Sequence, residues 1–380
     1  MRIAFLCSSM EVGCNGVGDY TRLLAGELIR CGKECVIIAL SDAWIYESRR
    51  EVQASETAEI PMLRLSSSSS WEDRVKIAKD FLDAFDPDWV SLQFVPYGFH
   101  PKGLPFGLGR RLKKILSGRR IHLMVHELWI SDHKKPSHYL VSFLQRIIIR
   151  RLVSRLSSDV VHTSIPLYVG RLQSLGIRAG QLELFGNIPT AESDAELPEP
   201  FAKLQNLADH WILYFGAAPR EPCLSQLVSG LREAVNVSKS RLGLVLISRG
   251  GDEKDRFLAR LSAEEGLLPL TIADCGFVPA KELSAVLSTC SLGVVRATPS
   301  LLGKSGTALA MLEHGLPIWM PITDGELSME RLFRNELIHH DLPTALQAMA
   351  TQQRLPMLFR LEETAQIFLR ELEGILKAEG

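Results

Sequence analysis

Gly13-Cys14-Asn15-Gly16-Val17-Gly18-Asp19-Tyr20 decides how this chain is read, because it follows the strand-like run Met1-Arg2-Ile3-Ala4-Phe5-Leu6-Cys7 and opens a helical pattern. A glycine-punctuated turn from strand to helix starts an α/β unit. The first N–H groups of the helix lack intrahelical acceptors there and attract phosphate. A second such turn lies near the other end, Gly303-Lys304-Ser305-Gly306-Thr307, followed by His314-Gly315-Leu316-Pro317. One such turn in each half predicts two domains that close on a phosphorylated ligand.

Outward from the first turn, Leu23, Leu24 and Leu28 predict a helix over 20–30 that Gly32 stops, and residues 35–40 read as the second strand. The serine run 66–70 reads as a loop. A helix is expected over 77–85, strands over 89–94, 121–125 and 160–163, and a long, basic, amphipathic helix over 137–157. The composition shifts at Gly186-Asn187-Ile188-Pro189, and residues 190–200 are acidic and proline-bearing, as interdomain connections tend to be. The alternation then restarts, with strands over 211–215, 243–247, 270–273, 292–295 and 317–320. Helices are expected over 224–235, 255–265, 280–288 and 307–313. Strands alternating with helices imply right-handed crossovers and a parallel sheet in each half. The expected fold is α/β, two doubly wound Rossmann-like domains facing a cleft, where the carboxyl ends of their strands bind ligand. The expected domains are 1–188, 189–360, and a terminal helix within 361–380 packed back on the first.

At 380 residues the chain exceeds the size at which single cores stop growing. Its 46% hydrophobic and 23% charged residues are ordinary for a globular protein. The opening apolar run is short for a secretory signal, and no stretch approaches the roughly 18 apolar residues of a spanning helix. Seven scattered cysteines without a Cys-x-x-Cys pair read as free thiols in a reducing, cytoplasmic setting, with no metal centre. The net charge of −1 hides an asymmetry: residues 100–155 hold 13 basic and 2 acidic side chains. No nucleic-acid recognition motif accompanies that excess. Apolar residues interleave with it, which fits an anionic membrane surface or a phosphorylated acceptor; a solvated helix face is the plain alternative.

Several residues sit where chemistry is expected. Gly16 and Gly18 can admit a phosphate, or simply make a tight turn. A dinucleotide fingerprint would continue with a third glycine, but Thr21 stands there, while Asp42 after the second strand keeps that reading open. Lys304 can meet phosphate charge, and Ser305, Gly306 and Thr307 can donate at a helix start; a capped helix with a surface lysine is the alternative. His126 follows a strand, where a proton-transfer group or a hydrogen-bonded structural histidine would sit. Arg220 and Arg249 follow strands of the second half and could balance a diphosphate; plain exposure is the reading favoured for Arg249. Asp19 is the more credible functional acid, and Glu313 reads as a helix-face residue. No Ser-His-Asp order or metal spacing can be assembled, and His339-His340 would diverge on a helix.

Together these residues resemble a GT-B nucleotide-sugar-dependent glycosyltransferase. The nearest likeness is the retaining family four (group 1), which includes sucrose synthases and many lipopolysaccharide and mannosyl transferases. The resemblance rests on residues 16–24, His126-Glu127-Leu128, Gly186-Asn187-Ile188-Pro189, Gly276-Phe277-Val278-Pro279 and Ala310-Met311-Leu312-Glu313-His314-Gly315-Leu316-Pro317. It implies that the first glycine loop and the helix before Gly315 approach the donor diphosphate. It also implies that Phe277-Val278 lies near the base and that His126 lies beside the transferred sugar. The family's two glutamates, eight apart, fall on Leu301 and Leu309 here, and its Gly-Arg and lysine fall on Gly216-Ala217 and Pro222. Arg220 and Lys304 are the expected replacement cations. The start at Ser305-Gly306-Thr307 also resembles UDP-N-acetylglucosamine 2-epimerases of the same fold.

The expected activity is therefore metal-independent, retaining transfer of a sugar from a nucleoside diphosphate sugar, as substrate rather than cofactor, to a hydroxyl of a glycan or lipid-linked acceptor. His126, Asp19 and Arg220 carry catalysis. Gly16, Gly18, Arg220, Val278, Lys304, Ser305, Gly306 and Thr307 bind the donor. The alternatives are a UDP-sugar 2-epimerase, a silent homologue that only binds and, last, a nicotinamide-dependent dehydrogenase.

Overall fold

The computed structural model describes residues 1–55, 58–130, 136–188, 196–267, 269–321, 334–358 and 360–379. The chain divides into two compact units, Met1–Leu184 with Leu361–Gly380, and Phe185–Arg360. The division falls after Leu184 rather than after residue 188. Gly186 belongs to the second unit, where its N–H donates to Glu313 Oε1 at 2.9 Å.

Unit 1 is built on eight strands: β1 (Arg2–Cys7), β2 (Glu34–Asp42), β3 (Arg49–Ala54), β4 (Glu59–Ser66), β5 (Trp89–Phe94), β6 (Arg120–Val125), β7 (Val160–Thr163) and β8 (Gly180–Gln181). Their order is β3-β4-β2-β1-β5-β6-β7-β8, all parallel except the antiparallel edge pair β3 and β4. The helices are α1 (Gly16–Arg30), α2 (Trp71–Phe85), α3 (Pro96–Phe99), α4 (Leu108–Leu116), α5 (Pro136–Leu156) and α6 (Pro166–Ser174).

Unit 2 has a six-stranded parallel sheet of β9 (His210–Phe215), β10 (Leu242–Ile247), β11 (Thr271–Gly276), β12 (Leu292–Val294), β13 (Ile318–Trp319) and β14 (Ile338–His339), ordered β11-β10-β9-β12-β13-β14. Its helices are α7 (Glu199–Leu204), α8 (Cys223–Val237), α9 (Asp252–Ser262), α10 (Ala280–Thr289), α11 (Gly306–Glu313) and α12 (Leu342–Ala350). The final helix, α13 (Leu361–Glu379), belongs to unit 1. There Phe368, fully buried, stacks on Phe5 with centroids 6.0 Å apart, and Lys33 pairs with Glu373 at 2.8 Å.

Two apolar layers in unit 2 sandwich its sheet. One contains Leu213, Val245, Val278 and Met311, the other Ile212, Leu244, Phe257 and Trp319. Buried on both faces, these strands read as nearly continuous apolar runs, the pattern of a parallel sheet. His339 lies on the short strand β14. The acidic connection expected over 190–200 lies mostly outside the described residues.

Candidate functional site

In a doubly wound sheet the loops after the strands carry the ligand groups, and the expected site residues are found there in each unit. In unit 1 the loop after β1 leads into α1, capped by Asn15. The Asn15 side chain accepts from Val17 N–H at 3.1 Å and Gly18 N–H at 3.3 Å. Of the two glycines expected to meet phosphate, Gly18 thus has its amide engaged by the cap. Gly18 has a packing reason instead. A Cβ there would stand 2.6 Å from the Ser9 carbonyl oxygen, so only glycine lets α1 lie this close to its loop. Asp19 is likewise occupied: its Oδ1 accepts from Gly13 N–H at 3.1 Å and from Arg22 at 2.7 Å. With Oδ1 shared between a guanidinium and an amide, Asp19 ties the loop to the first turn of α1.

The neighbouring loop is fixed by a buried ionic cluster that the sequence did not disclose. Asp42, fully buried, accepts from Arg64 at 2.8 Å, Ser9 Oγ at 3.0 Å and Met10 N–H at 3.1 Å, and Arg64 also binds Glu11 at 2.7 Å. Desolvation raises and the Arg64 bond lowers the Asp42 pKa, with the lowering prevailing. An acid so engaged is not presented to a ribose hydroxyl, which removes the residue that kept the dehydrogenase reading open.

His126 follows β6, is 5% exposed, and lies edge-on to Tyr20 with centroids 5.0 Å apart. Its Nε2 meets Gln93 Oε1 at 2.8 Å.

In unit 2, Ser305 caps α11, its Oγ accepting from Ala308 N–H at 3.4 Å and lying 3.0 Å from Thr307 Oγ1. Lys304 ends the preceding short helical turn, Pro299–Lys304. The turn after β9 comes against this helix head: a Cβ on Gly216 would stand 3.3 Å from the Thr307 methyl. Tyr214 Oη donates to Ala217 O at 2.7 Å and Arg296, after β12, donates to Ala218 O at 3.3 Å, so both loops are fixed beside it. Arg296 is a cation at this edge that the sequence reading missed; its only signal was its place just after a strand. Arg220 is 76% exposed and paired with Glu253, apart from the contacts just described. Val278 proves to be a core residue, 6% exposed, leaving only its backbone for a ligand. The exposed neighbour is Phe277, at 63%, and Arg249 lies over its ring at 5.0 Å. Arg249 is thus placed against an aromatic face rather than simply solvated.

Glu313, read as a helix-face residue, is fully buried, and burial pushes its pKa up to about 7 against the pull of the Gly186 N–H and of Arg360. The next residue, His314, is buried too, with Nε2 2.8 Å from Ser284 Oγ and Nδ1 2.7 Å from Ala310 O. The positions of the family glutamates hold Leu301 and buried Leu309. Among the described residues, no cluster of three or more His, Cys, Asp or Glu side chains could hold a metal ion.

Two Rossmann-like α/β units in one chain, each with its ligand-type loops after parallel strands, define the GT-B fold, and this chain has it. Solved structures similar to it include sucrose-phosphate synthase from Thermosynechococcus elongatus, with a TM-score of 0.64 and 15% identity over 100% of both chains. Another is the Anabaena protein HepE in complex with UDP and glucose, with a TM-score of 0.62 and 13% identity over 98% of this chain and 100% of that one. A third is UDP-GlcNAc 2-epimerase from Methanocaldococcus jannaschii, at 0.55 and 12% identity over 98% and 99%. No protein-family model matches the chain, and no curated protein matches it significantly.

Proposed function

We propose that the protein is a glycosyltransferase that moves a sugar from a nucleoside diphosphate sugar to a hydroxyl. The observation that carries this reading is the head of α11. Ser305, Gly306 and Thr307, preceded by Lys304, stand against the Gly216 turn at the carboxyl edge of the second sheet. Helix-head amides, hydroxyls and a lysine are a set that stabilises a departing diphosphate. Arg296 adds charge beside it. Arg220 adds more on release from Glu253, because an ion pair this exposed is screened by water and gives way easily. The Phe277 ring with Arg249 above it offers the base a stacking face. HepE, crystallised with UDP and glucose, and the synthases of the same fold supply the precedent.

In this reading His126 orients the transferred sugar. The occupied carboxylate of Asp19 favours the retaining course, in which the leaving phosphate takes the acceptor proton. Release of nucleoside diphosphate from UDP-, GDP- and ADP-sugars, measured with candidate hydroxyl acceptors, tests the assignment. Lys304→Ala and Arg220→Ala are each expected to lower kcat about tenfold or more. Near-wild-type turnover in both variants overturns it. Isomerisation of a UDP-sugar without acceptor would instead establish the epimerase reading, which Ser305-Gly306-Thr307 and the Methanocaldococcus structure support. Binding without turnover would leave the silent homologue.

A membrane-facing role for α5 is supported by a second observation. Tyr139, Leu140 and Phe143 are each about 60% exposed at its start, and Arg146 and Arg150 continue the Tyr139–Phe143 face at helical spacing. Exposed aromatics interleaved with arginines fit an anionic lipid surface, and so a lipid-linked acceptor. No described helix is long and apolar enough to cross a membrane. Co-sedimentation with vesicles containing phosphatidylglycerol should exceed that with phosphatidylcholine alone, and Phe143→Asp should reduce the excess. Equal binding to both vesicle types contradicts this role.

A further inference from the structure

Unit 1 carries a line of buried polar side chains that apolar packing does not explain. Ser91 and Gln93 lie two apart on β5, His122 lies opposite Ser91 on β6, and His162 lies on β7. All four are at most 1% exposed. Phe368 of α13 covers His122 edge-on at 4.9 Å, and Glu371, one turn further along that helix, reaches His162.

These groups form one unbroken chain. Glu371 Oε2 lies 2.6 Å from His162 Nε2, and His162 Nδ1 lies 3.0 Å from His122 Nε2. His122 Nδ1 lies 2.8 Å from Ser91 Oγ, Gln93 Nε2 donates to Ser91 Oγ at 2.7 Å, and Gln93 Oε1 lies 2.8 Å from His126 Nε2.

With neutral imidazoles the direction of this chain is forced from one end. An ionised carboxylate only accepts, so His162 must donate from Nε2 and accept at Nδ1. His122 must then donate from Nε2, and its Nδ1 accepts a hydrogen bond from the Ser91 hydroxyl. Ser91 accepts from the Gln93 amide, which turns the Gln93 carbonyl to His126, so His126 must donate from Nε2. Burial holds the His122 pKa well below its usual value, which keeps this imidazole neutral, and the hydrogen bond with His162 holds that of Glu371 down, which keeps the carboxylate ionised. The reverse direction would set an accepting His162 nitrogen against a carboxylate that has no proton to give. Half-satisfied buried networks are costly, whereas a head-to-tail one is cooperative.

We propose that Glu371 is a positioning residue that fixes the proton of His126 on Nε2 through His162, His122, Ser91 and Gln93, leaving Nδ1 as the basic nitrogen. The inference rests on the proposed function only for the use made of His126. A residue on the terminal helix thereby sets the chemistry of a residue after β6.

The test is two-bond 1H–15N correlation on the full-length protein with 15N-labelled histidine. In the wild type at neutral pH, His162, His122 and His126 are expected to carry their protons on Nε2. Glu371→Gln keeps an acceptor and should keep all three. Glu371→Lys only donates and should move all three protons to Nδ1. Ser91→Ala, a change of one oxygen, should leave His162 and His122 as they were and uncouple His126 from Glu371, so that Glu371→Lys added to it no longer moves the His126 proton. Any wild-type proton found on Nδ1, a His126 signal that ignores Glu371→Lys, or one that still responds to Glu371→Lys in the Ser91→Ala background overturns the proposal. These spectra do not depend on sugar transfer, so failure of the transferase reading would leave the direction of the chain measured. Where transfer is found, Glu371→Lys should lower kcat about tenfold with KM within about twofold, and an unchanged kcat would contradict the use assigned to His126.

Discussion

Glu313 shows at single-residue scale how burial changes the meaning of a side chain. Its sequence context, Ala310-Met311-Leu312-Glu313-His314, reads as one polar position on a helix, yet the carboxyl is fully buried and titrates at about 7 rather than 4.5. The folded chain holds this proton more tightly than the unfolded chain, so the associated stability is full below pH 4.5 and is lost as pH rises through 7. The gap corresponds to about 3 kcal/mol. Glu313→Gln keeps an acceptor for Gly186 N–H, so its urea-unfolding free energy should vary less between pH 5 and 8 than that of the wild type. A wild-type profile that is flat over that range would contradict the assignment. Gly18 is the opposite case, a glycine chosen for space. Gly18→Ala should destabilise unit 1 by about 1–3 kcal/mol, since the Ser9 carbonyl must move aside; urea unfolding of the variant would check it. Burial likewise separates Val278, expected to bind the donor and found in the core, from its exposed neighbour Phe277.

Elements with an unbroken apolar pattern were the legible ones. The strands expected over 211–215 and 243–247 match β9 and β10, because burial on both sheet faces leaves a run of apolar residues. Strands β3 and β4 were not read, and the reason is chemical. Arg49-Arg50-Glu51-Val52-Gln53-Ala54 is an edge strand with exposed charge, and β4 contains Pro61 and the buried Arg64, which its pairing with Asp42, Glu11 and Glu51 makes tolerable. Helix α4, Leu-Gly-Arg-Arg-Leu-Lys-Lys-Ile-Leu, was read as basic charge, yet it buries Leu108, Leu112, Ile115 and Leu116 while Arg111 lies over Trp71 at 4.7 Å. Helix α13 was expected to return to the first domain, and its contacts give that a magnitude. Phe368→Ala removes a fully buried ring from Phe5 and His122 and should cost about 3–5 kcal/mol in unit 1. A loss below about 1 kcal/mol on urea unfolding would mean that α13 is a loose appendage.

The whole molecule was more legible than its site. Alternating strands and helices, with a glycine turn near each end, gave two doubly wound units, because a parallel sheet must be covered on both faces and each crossover writes a helix between strands. The site was only half readable. The head of α11 could be found from Lys304-Ser305-Gly306-Thr307, whereas the Asn15 cap, the Arg64 cluster and the line from Glu371 to His126 join residues far apart in the chain. The central claim is that this GT-B chain holds a nucleoside diphosphate at the head of α11. Thermal unfolding with UDP, GDP, ADP, CDP, dTDP and NAD tests it most directly, with Lys304→Ala run beside the wild type. A diphosphate present at 100 times its Kd should add about 2.7 kcal/mol of stability. A clear rise in Tm is expected with at least one diphosphate, none with NAD, and a smaller rise in Lys304→Ala. No rise with any diphosphate, or a rise that Lys304→Ala leaves intact, would contradict it.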